Sequence, residues 1–271
     1  FRCCAVFGNC VSFDQYIGGW NVSNVIYFQS MFNDATSFNQ DISGWNTGNA
    51  EQMEWMFFGA ESFNQPIGSW NVSKVKNMSL MFQEAISFNQ DIGSWVVSSV
   101  TDMSFMFYKA SSFNQDISGW NVGLVENMSY MFNQSPFNQD ISGWNVSSVT
   151  NMSLMFTSTS AFDQDLGTWD ISGVTNMTSM FSFSNMSVSS YDKTLIGWSG
   201  QTVQSGVDLG AHSLNYCVGE ASRTTLQGKG WTISGDSKDC QSFISVWNTS
   251  GATQITIPTT GTGYDYFVYW E

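Results

Sequence analysis

Positively charged residues and histidine are scarce in this 271-residue chain. Eight Lys and Arg residues stand against 22 Asp and Glu, the formal net charge is −14, and the one histidine is His212. This balance argues against a nucleic-acid partner, because eight dispersed cations cannot form a basic face. No Gly-x-Ser-x-Gly nucleophile elbow occurs either. We therefore expect His212 to be a surface loop residue, and we expect no catalytic or cofactor-binding residues and no enzyme.

Long hydrophobic runs are also missing. No stretch of about 18 apolar residues occurs, so the sequence predicts a protein that does not span a membrane. No signal-peptide pattern is present and the chain begins with Phe1 rather than Met, from which we expect a processed or partial chain. Hydrophobic residues still make up 42% and aromatic residues 16% of the sequence, which is enough for a packed interior.

Cysteine is absent from the long middle of the chain and occurs only near the two ends, at positions 3, 4, 10, 217 and 240. This distribution predicts disulfides on the caps of a repeat array, joining Cys217 to Cys240 and Cys10 to Cys4 or Cys3. The odd count leaves one thiol free or paired outside the chain. Metal binding by the first cluster is the alternative, but no histidine lies near it. Disulfides predict an oxidising, extracellular or cell-surface setting.

A 25-residue pattern repeats along the chain. Tryptophan marks it at Trp20, Trp45, Trp70, Trp95, Trp120, Trp144 and Trp169. A phenylalanine before Asn-Gln or Asp-Gln keeps the same interval from Phe13 to Phe162, and one repeat is a residue short between Phe132 and Phe137. A strict period in this range is typical of a solenoid, in which each repeat stacks on its neighbours.

Within each repeat the pattern changes from a strand period to a helical one. Residues 88–92 alternate apolar and polar side chains and predict a short strand, which a Gly-Ser-Trp turn follows. Gln90 shares the inward face, so we expect it to find hydrogen-bond partners or to stack with its equivalents in neighbouring repeats. An apolar stripe with a three-residue interval comes next, at Val97, Val100, Met103 and Met106. It predicts a short helical turn, partly 3₁₀, with one buried face.

Two phrases carry the repeat, Ser-Phe-Asn-Gln-Asp-Ile-Ser-Gly-Trp-Asn-Val and Val-Thr-Asn-Met-Ser-x-Met-Phe. They resemble the repeats of the bacterial BspA-like leucine-rich-repeat surface proteins, and similar repeats occur in mycoplasma lipoproteins. The resemblance covers roughly residues 11–240. It implies an α/β repeat solenoid, a leucine-rich-repeat-like right-handed coil with short parallel strands and short helical turns. It also implies an extracellular cell-surface protein with a role in adhesion, and it supplies no catalytic residues.

The patterns divide the chain into four parts, which are a cysteine-rich start or truncated repeat at 1–10, seven repeats at 11–181, a C-terminal cap with a disulfide at 182–240, and the β-rich start of a further module at 241–271. In the cap, residues 220–226 predict a short helix and residues 231–233 a last strand. The tail predicts three aromatic strands. They would pair with a neighbouring copy through Phe243, Val246, Trp247, Tyr264, Tyr266, Val268 and Trp270.

A column of aspartates occupies one repeat position, at Asp41, Asp91, Asp116, Asp140 and Asp165. Stacked carboxylates repel one another by roughly 1 kcal/mol per pair in water, so we expect hydrogen bonds from backbone NH groups or nearby Asn and Ser to stabilise them. Binding of Ca²⁺ or another divalent cation is the alternative, although no EF-hand or nonapeptide calcium motif supports it. The tryptophan column predicts a core ladder, with a stacking platform for sugars as its alternative.

Four functions are considered, in order. The first is a non-enzymatic surface protein that binds a protein or glycan partner through its repetitive face. The second is a structural subunit of an extracellular filament, assembled from copies of the chain through the β-rich tail. An enzyme ranks third, because no acid, base and nucleophile converge. Binding of a regular lattice such as ice ranks last, since the repeats offer Asn, Asp and Ser instead of a flat Thr-rich face.

Overall fold

The computed structural model describes residues 6–240, and equivalent residues of successive repeats lie side by side through most of this range. Single parallel bridges mark the register, and they join Tyr27 to Gln52, Gln52 to Asn77, Asn77 to Asp102, Asp102 to Asn127, Asn127 to Asn151, and Asn151 to Asn176. Backbone N–H groups donate across the same register, as from Phe57 to the carbonyl of Met81 at 2.9 Å. Backbone hydrogen bonds therefore join each repeat to the next.

Inside each repeat the backbone forms a chain of β-turns. In one of them the N–H of Met106 donates to the carbonyl of Met103 at 3.2 Å, and the third residue of the turn, Phe105, has a positive φ of 58°. The same position is left-handed in Ser30, Trp55, Leu80, Tyr130, Leu154 and Ser179. A left-handed residue interrupts a right-handed helix. The prediction of a helical turn over residues 97–106 is therefore wrong, although the three-residue interval does correspond to hydrogen bonds between residues three apart.

The predicted strand over residues 88–92 also differs from the structure. Phe88 and Ile92 are fully buried, as their alternation predicted. The parallel bridge of this repeat nevertheless lies at Asp102, and residues 88–92 form no backbone ladder. Side chains of Asn and Gln make the contacts between repeats at this position, so the prediction of a strand here is wrong.

The core consists of stacked columns of apolar side chains. Phe82 stacks on Phe88 within one repeat, with ring centroids 4.0 Å apart. It also stacks on Phe107 of the next repeat, at 5.7 Å and an interplanar angle of 2°. Burial of each such ring stabilises the fold by roughly 1.5–3 kcal/mol, so the phenylalanine, methionine and tryptophan columns dominate the stability of the array.

A helix that sequence reasoning missed follows the last repeat. α1 (Val188–Ser199) begins after Ser187, whose side chain accepts a hydrogen bond from the N–H of Ser190 at 3.2 Å. It buries Tyr191, Leu195 and Trp198, which are spaced by four and three residues. Trp198 stacks on Phe181 of the array at 5.9 Å. The helix thus covers the apolar end of the last repeat.

The remaining elements of the cap are short. They are β1 (Asp208–Gly210), β2 (Asn215–Tyr216), α2 (Glu220–Gly228), β3 (Thr232–Ser234) and β4 (Ser237–Lys238). Two parallel pairs form, β1 with β3 and β2 with β4, and Leu209 of β1 is also bridged to Met177 of the array. The helix predicted over residues 220–226 is confirmed as α2. The strand predicted over residues 231–233 corresponds to β3, but it is not the last, because β4 follows.

The cysteine predictions divide. Cys217 and Cys240 form the predicted disulfide. Cys10 is instead a free, exposed thiol, so its predicted pairing with Cys4 or Cys3 is not made in the structure. The backbone N–H groups of Phe7 and Asn9 donate to the next repeat, which holds this segment on the array and leaves Cys10 at an exposed turn.

Two further predictions concern the surroundings of the chain. Within residues 6–240, no helix combines the length and the apolar character that crossing a membrane requires. The seven tail residues predicted for assembly, Phe243 to Trp270, lie outside the described residues, as do Cys3 and Cys4.

Candidate functional site

The tryptophan column lies in the core. Trp95 is 3% exposed, and its ring stacks on Trp120 at 6.5 Å with an interplanar angle of 3°. Its Nε1–H donates to the carbonyl of Ile67 in the preceding repeat at 3.1 Å. Trp20 is the exception, because it is 45% exposed. The predicted core ladder is therefore confirmed for the repeats after the first, and the faces of those indoles are not available to a sugar.

A ladder of side-chain amides runs beside the core. Asn64 Oδ1 accepts hydrogen bonds from the N–H of Asn89 at 3.0 Å and from Gln90 Nε2 at 2.9 Å. The same pattern recurs in the neighbouring repeats, where Asn89 accepts from Asn114 and Gln115. The partners predicted for Gln90 are thus the amide and the backbone of the preceding repeat, and this surface is satisfied internally.

The aspartate column is held by its own backbone. Each carboxylate accepts a hydrogen bond from the N–H two residues later, as Asp91 does from Gly93 and Asp116 from Ser118, both at 2.9 Å. These contacts are Asx turns. Hydrogen bonds from the serine two residues later hold the pKa of Asp41, Asp116 and Asp140 below the ordinary value, and the charge of Asp116 opposes the effect at Asp140. The structural role predicted for the column has these contacts to support it.

A shallow depression of about 400 Å³ lies along the same column, lined by Asp91, Gly93, Ser94, Gln115, Asp116, Ser118 and Gly119. Its lining is polar, unlike the mostly apolar lining of a typical ligand pocket. Among residues 6–240, no group of three or more His, Cys, Asp or Glu residues has an arrangement that would hold a metal ion. Asp165, the last member of the column, accepts from the N–H of Gly167 in the same way as the others.

A second acidic group lies in the cap. Asp192 of α1 is 1% exposed and accepts backbone hydrogen bonds from Cys217, Val218 and Gly219 at 2.9–3.0 Å. Gly219 is the residue before α2. The carboxylate therefore occupies the N-terminus of that helix, where the helix dipole favours a negative charge, and it is fully used in holding the cap together.

The histidine makes one notable contact. His212 is exposed, and its Nδ1 lies 3.1 Å from the hydroxyl of Ser182. Its ring stacks on Phe183 at 5.9 Å. Within residues 6–240, no carboxylate is hydrogen-bonded to the other ring nitrogen, so the pair lacks the third group that orients the base in a hydrolytic triad.

One surface remains, and sequence reasoning missed it. We call it the aromatic strip, and it comprises Trp55, Phe58, Leu80, Phe105, Tyr108, Tyr130 and Leu154. Every member is partly or fully exposed. Phe105 stacks on Tyr130 at 4.2 Å, and Trp55 lies 5.1 Å from Phe58. The signal in the sequence is weak, because serine takes the same position as Trp55 in the first and last repeats and polar residues replace Phe58 in others.

The comparisons with known proteins agree with the repeat pattern. Three overlapping segments, residues 2–95, 49–135 and 121–207, match a family described as Mycoplasma protein of unknown function, DUF285. The chain belongs to this family. The three matches make it a tandem-repeat member, in keeping with the predicted similarity to mycoplasma repeat proteins. No curated protein matches the chain. The family description states no activity, so the chemistry of the surface carries any functional conclusion.

Proposed function

We propose that the chain is a non-enzymatic, extracellular cell-surface repeat protein that binds a protein or glycan partner through the aromatic strip. The carrying observation is that aromatic and aliphatic side chains stay exposed over five successive repeats, while every other apolar column of the repeat is buried. Contiguous exposed apolar surface marks interaction sites in proteins that are not otherwise hydrophobic outside. Aromatic residues are also enriched where proteins bind partners, since they combine large contact area with few rotatable bonds.

The cell-surface location and the leucine-rich-repeat-like coil are part of this proposal. The disulfide of Cys217 and Cys240 supports an oxidising compartment. The register of about 25 residues between hydrogen-bonded neighbours supports one turn of a coil per repeat. Adhesion is then the role of the array, because a long repetitive face engages an extended or multivalent partner through several equal contacts.

The test is binding of the full chain to an array of extracellular-matrix proteins and glycans, followed by variants of the strip. Phe105→Asn combined with Tyr130→Asn removes the stacked rings with a residue that tolerates the left-handed backbone of both positions. The control is Leu124→Asn, which removes an apolar residue that is 56% exposed but lies outside the strip.

We expect the double variant to lose at least about tenfold in affinity for any partner found, since interface aromatics commonly contribute more than 1.4 kcal/mol each. The control should bind like the wild type, and circular dichroism should show that all three proteins are folded. Equal binding by the double variant would remove the strip from the proposal. A chain that binds nothing on the array at micromolar concentration would refute adhesion.

A filament subunit is the second candidate, and exposed residues of the first repeat favour it. Val11, Tyr16 and Trp20 are 55%, 71% and 45% exposed, whereas the equivalents of Trp20 in later repeats are buried. Stacking of copies would bury these residues in the same way. Sedimentation of the full chain at rising concentration tests the idea, with Trp20→Ser as the variant. Assembly that Trp20→Ser abolishes supports a filament, and a chain that stays monomeric at every concentration rejects it.

A further inference from the structure

One lysine of the aromatic strip region is held by a ring and a carboxylate. Lys109 Nζ lies 2.9 Å from the carboxylate of Glu84 and 5.0 Å from the ring centroid of Tyr108. The ion pair with Glu84 raises the pKa of the Lys109 ammonium. Both charged side chains remain about 40% exposed, 41% for the lysine and 38% for the glutamate. A primary ammonium between an aromatic face and a carboxylate is thus a contact that this repeat surface makes.

The same geometry recurs 50 residues earlier without the lysine. Gly59 has the backbone of Lys109, with φ of 62° against 56°. Phe58 stands where the later repeat has Tyr108. Asp34 stands where it has Glu84, and its N–H donates to the carbonyl of Phe58 at 2.7 Å. The corresponding N–H of Glu84 donates to Tyr108 at 2.8 Å, so the two copies share one backbone register.

The earlier copy therefore keeps the ring and the carboxylate but has no cation of its own. Asp34 Oδ1 lies against Gly59, in the space that a Cβ would need. Among residues 6–240, no Lys or Arg forms an ion pair with Asp34. Burial and the negative charge of Glu84 raise the pKa of Asp34, which is the condition that an added cation relieves. The ring of Trp55, 5.1 Å from Phe58, widens the aromatic wall.

We propose that Asp34, Phe58, Gly59 and Trp55 form a notch that binds the ammonium group of a lysine side chain on a partner protein. The inference rests on the proposed function, and it specifies the partner as a protein with exposed lysine. Lys109 shows which cation the notch accepts, because its ammonium occupies the equivalent place. The net charge of −14 adds long-range attraction for a basic partner.

The experiment measures binding of the full chain to a synthetic peptide of four lysines separated by glycine and serine, at low ionic strength. The same peptide with every lysine Nε-acetylated is the second probe, since it keeps the length and loses the charge. Asp34→Asn removes the carboxylate charge of the notch. Its matched control, Asp116→Asn, removes one negative charge from the aspartate column.

A second pair of variants tests the notch by filling and by copying it. Gly59→Lys supplies an internal ammonium. Lys109→Gly vacates the later copy and creates a second notch from Glu84 and Tyr108. Lys76→Gly is the matched control for Lys109→Gly, because Lys76 pairs with Glu51 at 3.8 Å in an exposed ion pair and its loss changes the net charge equally.

We expect the lysine peptide to bind about tenfold more tightly than the acetylated one. Asp34→Asn and Gly59→Lys should each weaken that binding by about fivefold, Lys109→Gly should strengthen it at least about twofold, and both controls should stay near the wild type. Equal effects of Asp34→Asn and Asp116→Asn would show a general acidic attraction and overturn the notch. Weak binding of both peptides would overturn it as well.

The two proposals fail separately. A chain that binds a partner on the matrix array but not the lysine peptide retains the aromatic strip and loses the notch. A chain that binds the lysine peptide through Asp34 but no partner on the array retains the notch and loses the adhesive role.

Discussion

At the scale of single residues, side-chain amides take the place of a backbone ladder. Asn89 Oδ1 accepts hydrogen bonds from the N–H of Asn114 and from Gln115 Nε2, both at 3.0 Å, while its own N–H donates to Asn64. Each asparagine is therefore both donor and acceptor between repeats, and buried or half-buried groups of this kind are costly to leave without partners.

Asn89→Ala should lower the free energy of unfolding by about 1–3 kcal/mol, because the N–H of Asn114 and the amide of Gln115 lose their acceptor. Asn89→Asp should stay close to the wild type, since Asp163 accepts a backbone hydrogen bond at the same repeat position. Urea unfolding followed by circular dichroism measures both. An alanine variant as stable as the aspartate variant would show that the amide ladder does not stabilise the array.

The aspartate column predicts a loss of stability in acid. The pKa values of Asp41, Asp116 and Asp140 are lowered in the folded chain. A lowered folded pKa contributes stability above the unfolded value of about 3.9, and this contribution disappears as the pH falls through the lower folded value. The melting temperature should therefore fall between about pH 4 and the lower folded pKa values.

Asp116→Asn is the control for this prediction, because asparagine makes the same Asx turn at Asn121, whose side chain accepts from the N–H of Gly123. Thermal melts from pH 6 to pH 2.5 should show a smaller acid-induced decrease for the variant than for the wild type. Identical pH profiles would mean that Asp116 does not contribute to the acid sensitivity.

At the scale of elements, the array is built from turns whose third residue is left-handed. Glycine is the usual residue there, yet Trp55, Phe105 and Tyr130 occupy the position. Their backbone N–H groups donate to the next repeat, as Phe105 does to the carbonyl of Ser129 at 2.8 Å. Hydrogen bonding between repeats and packing of the neighbouring Met and Phe therefore outweigh the local strain, which is of order 1–3 kcal/mol per residue.

The disulfide of the cap gives a prediction for its elements. Cys217→Ser combined with Cys240→Ser opens a loop with a sequence separation of 23 residues and should destabilise the cap by about 3 kcal/mol. Cys10→Ser is the matched control, because that thiol is free and exposed. Hydrogen exchange should show faster exchange in α2 and β4 of the double variant and no change in the control. Unchanged protection of α2 and β4 would mean that the disulfide does not stabilise these elements.

At the scale of the whole molecule, charge of one sign accumulates on a repetitive surface. The net charge is −14, and equivalent acidic residues stand in adjacent repeats, as Asp116 and Asp140 do. Self-repulsion of this kind opposes the folded state and is screened by salt.

The melting temperature at pH 7 should rise when NaCl is increased from about 0.02 to 0.5 M, because the Debye length shortens to a few ångströms. Calorimetry of the full chain measures the change, and a pH 4 series is the comparison, since part of the acidic charge is then removed and the gain should be smaller. A melting temperature that falls with salt would mean that attraction, not repulsion, dominates the electrostatics.

The repeat, the apolar columns and the cap disulfide were all predictable from the sequence. A residue such as Trp95 recurs at one interval, and only burial in a stacked core accounts for a large apolar side chain at every turn of the pattern. Cys217 and Cys240 were identified as a pair because no other cysteine lies in that half of the chain. These features depend on composition and spacing alone.

The tertiary structure alone decided the local elements and the interaction surface. The interval of three between Met103 and Met106 fits both a 3₁₀ turn and a β-turn, and the hydrogen bond of Phe105 to the next repeat selects the turn. The aromatic strip and the notch at Gly59 needed the register that sets Asp34 beside that glycine. Periodicity reports which positions are equivalent, but contacts between different positions of neighbouring repeats depend on how the backbone stacks, and hydrogen bonds between distant residues determine that stacking.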